Sequence, residues 1–144
     1  MKKLIALAVV LLSCVGVATA DTTVTAGKPT PGSPEHKALI QKNLLALAGV
    51  CGCPFVVDVN WEAVKGEETK RQIADSIDNF VGAANSYCAK TESKQKFCHD
   101  FRSLAVAEDP TGAAVDLTDT KIVIRPHVKP VIVQSDFLAV FNKG

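Results

Sequence analysis

The chain has no surplus of charge of either sign. Sixteen Lys and Arg stand against fifteen Asp and Glu, interspersed without a basic stripe or an acidic block. Such a balance does not suit nucleic acid or an anionic membrane surface as a partner. The chain also lacks any apolar run of the roughly 20 residues that a membrane span requires. It lacks a G-x-S-x-G elbow, an H-E-x-x-H pair and a glycine-rich phosphate loop, so no common hydrolase, zincin or nucleotide-binding signature is present. With one tryptophan and three histidines, few side chains remain on which a site could be built.

What is present begins at the N-terminus. Met1-Lys2-Lys3 is a short basic start, Leu4 to Leu12 an unbroken apolar run, and Ala18-Thr19-Ala20 a small-x-small cleavage pattern. This is the anatomy of a bacterial-type secretory signal peptide over 1–20, set aside in reasoning about the fold. It implies a periplasmic or secreted protein. Removal of Lys2 and Lys3 takes the net charge from +1 to about −1. Leu11-Leu12-Ser13-Cys14 resembles a lipobox and gives an alternative, a lipoprotein anchored through Cys14, although Leu12 fits that motif poorly. Either route leaves Cys51, Cys53, Cys88 and Cys98, an even count that in an exported chain reads as a disulfide framework.

Residues 21–34 (DTTVTAGKPTPGSP) offer almost nothing to bury and read as a flexible tail, with one domain over 35–144. Ser33 and Pro34 cap a first helix, with Ile40, Leu44 and Leu47 as its apolar face, widened by Leu39 and Leu45 into a well-buried helix, and Gly49 as its stop. Residues 55–59 read as a strand. A second helix over 67–89 carries the stripe Ile73, Ile77, Phe80, Val81, Ala84 and Cys88. A third helix over 92–106, with Phe97, Phe101 and Leu104 as its apolar face, would fold back on it as an antiparallel hairpin. Residues 113–117 and 121–125 suit a β-hairpin around Thr118-Asp119-Thr120, and 131–133 a further edge strand or extended loop between prolines. Ser135 would cap a short final helix. The expected class is α+β, with three main helices on a small, mostly antiparallel sheet.

The helix hairpin favours a Cys88–Cys98 bridge. Cys51-Gly52-Cys53 admits three readings: pairing of both thiols with Cys88 and Cys98, a strained Cys51–Cys53 ring, or a thiol-exchange or metal site. The following proline makes Cys-Gly-Cys-Pro, which differs in spacing and in its helix-to-strand placement from the thioredoxin motif. The exported context favours the structural reading. Among the histidines, His36 in the first helical turn reads as solvated and His99 as exposed. His127, between prolines, is a conceivable third ligand beside Cys51 and Cys53. Asp58, Glu62, Glu67 and Glu68 are more simply dipole-complementing surface acids than a catalytic pair. Trp61 packs over one end of the core or serves as an exposed aromatic anchor for a partner.

No catalytic residue, cofactor or metal site is assigned. The leading functional expectation is a non-catalytic exported binding protein acting on a protein partner, of inhibitor, immunity or accessory type. The alternative is a thiol-disulfide or metal-handling protein centred on Cys51 and Cys53.

Overall fold

A computed structural model describes residues 27–143; the expected signal peptide, Cys14 and the first part of the expected tail lie outside the described residues. Eight elements follow in order: α1 (Pro34–Cys51), β1 (Val56–Asp58), α2 (Glu67–Cys88), α3 (Thr91–Asp100), β2 (Ser103–Val106), β3 (Val115–Thr118), β4 (Lys121–Ile124) and α4 (Gln134–Phe141). The class is α+β, with four helices against a four-stranded sheet. Among the described residues no helix is long and apolar enough to cross a membrane.

Local chemistry sets the helix ends. The Ser33 hydroxyl accepts the His36 N–H at 3.1 Å, and Pro34 occupies the first helical position. The helix passes Gly49, whose Cα faces open space, and stops at Gly52 instead. There φ of +87° lets the backbone N–H turn back to the Ala48 carbonyl at 2.8 Å. The helix α2 starts at Gly66, with Glu67 and Glu68 at its positive end, and buries Ile73, Ile77, Phe80, Ala84 and Cys88. The start of α4 falls one residue before Ser135. Its first turn is secured by Asp136, whose carboxylate accepts the Val133 N–H at 2.8 Å and pairs with Lys129 at 2.7 Å.

The expected third helix is two elements. It ends at Asp100, the backbone becomes extended at Phe101, and residues 103–106 form β2. Helical spacing of Phe97, Phe101 and Leu104 suggested continuity. The same residues also suit a helix followed by a strand, and strand pairing wins because β2 lies between β1 and β4. The strand order is β1-β2-β4-β3, with β1, β2 and β4 mutually parallel and β3 antiparallel to β4. The sheet is therefore mixed rather than mostly antiparallel. Two helices intervene between β1 and β2, and β3 takes the outer edge before the chain returns as β4. Residues 131–133 form no strand, yet Ile132 is buried and its carbonyl accepts from Asn79 at 2.9 Å.

The helices cover the sheet face that carries Leu104, Ile122, Ile124 and Val115, all buried. All six phenylalanines belong to this core. Phe80 on α2 is stacked on Phe55 at 4.6 Å and edge-on to Phe137 and Phe141 at 5.6 and 6.2 Å, and Phe97 and Phe141 join it to Phe101 and Tyr87. Aromatic pairs in such geometries add to the stabilisation that area burial alone provides.

The disulfides join Cys51 to Cys88 and Cys53 to Cys98, with Cα separations of 5.1 and 5.8 Å. The expected Cys88–Cys98 bridge across the helix hairpin is not formed. Cys88 sits on the inward stripe and meets the end of α1. Cys98, on the rim of the α3 buried face, meets the segment that enters β1. Both cysteines of Cys-Gly-Cys are thus staples, and neither closes a ring with the other.

Sequence separations of 37 and 45 residues give both bridges similar entropic value, about 4 kcal/mol each on the chain-entropy model. They differ in packing, because Cys51 and Cys88 are 2% and 0% exposed whereas Cys53 is only half-buried. Urea denaturation should therefore show a larger stability loss for Cys51→Ala with Cys88→Ala than for Cys53→Ala with Cys98→Ala. Equal losses would mean that packing at the buried bridge adds nothing.

Candidate functional site

Helix α1 separates two openings. Its N-terminal half and α2 enclose a cleft of about 560 Å³ roofed by residues 28–31. On its other flank, a groove of about 310 Å³ runs between α1 and the free edge of β1. Ile40 lines both.

The roof is part of the segment read from sequence as a tail. The Ser33 N–H donates to the Thr30 carbonyl at 3.0 Å, and three further contacts hold the roof. The Gly32 N–H donates to His36 Nδ1 at 3.0 Å. Gly32, at φ of +81°, lies so close to Trp61 that a Cβ would come within 3.0 Å of the Trp61 Cβ. The Lys28 ammonium donates to Asp75 at 3.2 Å and Asp78 at 3.0 Å, and these two hydrogen bonds, Asp78 first, raise its pKa. The ion pairs are exposed and individually weak.

His36 is not solvated as its first-turn position suggested; it is 6% exposed. Its ring meets Trp61 edge-on, with centroids 5.0 Å apart and an interplanar angle of 82°. Because Nδ1 accepts from Gly32, a neutral ring carries its proton on Nε2, which has no hydrogen-bond partner among the described residues. Burial holds the imidazole below its usual range, against a smaller opposing pull from Asp78. Trp61 is itself only 6% exposed, so its ring is packed against His36 and Gly32 and is not presented as an anchor.

The groove has different chemistry. Its floor is formed by Ile40, Leu44, Phe55, Val57 and Trp61, with Lys37 on the rim. The strand β1 is an edge strand. The Val56 N–H donates inward to the Arg102 carbonyl at 3.1 Å, so strand alternation turns the Val57 amide towards the free edge. Beside the groove stand two exposed aliphatic side chains, Val56 at 59% and Leu45 at 66%. Leu45 and Leu39 do not widen the buried face of α1 as their spacing suggests, because no element among the described residues packs over them. Leu45 lies one helical turn beyond Gln41, which also lines the groove.

The other sequence candidates are dispersed. Cys51, Cys53, Cys88 and Cys98 are taken up in bridges, and no group of three or more potential metal ligands occurs among the described residues. His127 is exposed beside a separate cavity near Val64 and Ile73. His99 is exposed and donates to Asp100 at 2.7 Å; this bond and a second from Lys96 hold the Asp100 carboxyl below its ordinary range. Glu67 and Glu68 are spent on Lys70 and Arg71, and Asp58 and Glu62 are exposed. Lys28, Asp75 and Asp78 went unnoticed in the sequence. The i, i+3 spacing of the two aspartates marks one helix face, but their partner lies 47 and 50 residues away.

The depressed His36 gives a signed pH dependence. An unfolded chain takes up the proton near the ordinary value of 6.5, whereas the folded chain resists it. The stability due to neutral His36 is complete above that value and is lost as pH falls through the folded pKa. Denaturation midpoints should fall from about pH 7.5 to about pH 5, and His36→Gln should flatten that slope. The Asp100 carboxyl acts only in more acid solution. A slope unchanged in His36→Gln would contradict this assignment.

No protein-family model, no curated protein and no solved structure matches this chain.

Proposed function

We infer that this is a small, non-catalytic binding protein, exported to the bacterial envelope or beyond, that acts on a protein partner. The observation that carries the reading is the groove between α1 and the open edge of β1. It combines a strand edge left unpaired among the described residues, an apolar floor and two exposed aliphatic side chains on its flanks. Scattered exposed aliphatics are ordinary on a protein surface. Their placement on both sides of a strand edge suits a partner segment that adds as a strand and seats side chains in the groove.

The disulfides support this reading. Cys51–Cys88 fixes the end of α1, one wall of the groove, and Cys53–Cys98 fixes the entry to β1, the other wall. A wall held in place before binding loses little conformational freedom when a partner arrives. The signal peptide read in residues 1–20 accounts for an oxidising location in which such bridges persist. The thiol-exchange alternative requires a reactive Cys51–Cys53 pair, and both of those sulfurs are bonded elsewhere.

Site-specific photocrosslinking tests the surface directly. A photoreactive residue at position 45 or 56 should capture a partner protein from envelope or culture fractions. One at position 118, on the opposite sheet edge, should not. Val56→Asp should weaken binding of the captured partner by about tenfold or more, the scale of a central interface residue. Capture that is equal at position 118, or absent from 45 and 56, contradicts the proposal.

A further inference from the structure

The cleft under the Lys28 roof is separate from the groove and carries different chemistry. His36, more than nine-tenths buried, lines it with an Nε2–H that no described residue accepts. Leu39, Ile40 and Ala74 give it apolar walls. Asp75 and Asp78, one helical turn apart on α2, share a single ammonium group, that of Lys28. At about 560 Å³, the cleft has the size of a small-molecule site.

We propose that this cleft binds a small organic amine with an apolar body. The protonated amine sits between Asp75 and Asp78, and an acceptor atom on the body takes the His36 Nε2–H. Lys28 is the built-in competitor. Its position, 3.2 and 3.0 Å from the two carboxylates, shows that an ammonium group is accommodated there. Its side chain is 75% exposed, so it swings into water with little lost packing. An amine exchanges like for like. A carboxylate would face Asp75 and Asp78, and the two cations on the lining are already engaged, Lys28 with those aspartates and Arg71 with Glu68. Neutral His36, favoured by burial, is the form that keeps both Nδ1 bonded to Gly32 and Nε2–H available.

Trp61 is the sole tryptophan; it lines the groove but touches His36, which lines the cleft. Its emission therefore reports binding near His36, and the Lys28 and Asp78 variants assign the change to the cleft. The oxidised protein is titrated with para-methoxyphenethylamine and, as the oppositely charged analogue, para-methoxyphenylpropionate. The amine should change Trp61 emission saturably and the carboxylate should not. Lys28→Ala should tighten amine binding about two- to fivefold, the worth of an exposed ion pair. Asp78→Asn should weaken it tenfold or more. Both substituted side chains are exposed, and circular dichroism checks that the fold is retained. Equal binding of the carboxylate overturns the proposal. So does amine binding that Lys28→Ala weakens or leaves unchanged, or an emission that neither probe alters.

Discussion

Two disulfides that leave the main chain only two residues apart constrain everything around them. Gly52, in the left-handed region, ends α1 and sends Cys51 towards α2 while Cys53 turns towards α3. The end of one helix and the start of one strand are thereby fixed against two different helices. Because α1 forms one wall of the cleft and one wall of the groove, its position sets the shape of both. The α1 face itself contributes only Ile40, Leu44, Leu47 and His36 besides Cys51 to the buried interior. On so narrow a seam, covalent closure has more effect than in a larger core.

A gradient of stability follows. Phe80 and the inward strand side chains Leu104, Ile122 and Ile124 are fully buried, whereas the roof over the cleft is held by two hydrogen bonds, one glycine–tryptophan contact and exposed ion pairs. Segments held in this way open locally at small free-energy cost while the global fold persists. The cleft can therefore admit a ligand without disturbing the core, and the stapled groove beside it keeps its shape. Rigidity is placed where a strand edge is exposed, and ease of opening where the roof is closed by one lysine.

Features encoded within a few residues were legible in the sequence. The Ser33-Pro34 cap, the α2 stripe, the turn at Thr118-Asp119-Thr120 and the α+β class all follow from local spacing and capping chemistry. Long-range choices were not. Residues 103–106 carry a pattern compatible with either state, and strand neighbours far away in the chain decide it. The parallel sense of the sheet depends on which strand takes the edge, and no local signal encodes that. The cysteines announced a staple but not its pairing, because two thiols separated by one glycine have indistinguishable reach until the helices are placed. His36 looked solvated because the partners that bury it are a glycine in an apparent tail and a tryptophan 25 positions away.

The pairing itself is the most direct test. Trypsin should release one cluster of three peptides, residues 43–65, 72–90 and 97–102, whichever way the bridges cross. Backbone fragmentation at Gly52 then separates the alternatives. The predicted pattern has residues 72–90 attached to the fragment that ends at Gly52 and residues 97–102 attached to the fragment that begins at Cys53. The reverse attachment, or a closed Cys51–Cys53 ring with a separate Cys88–Cys98 pair, would contradict the fixed walls on which both sites depend.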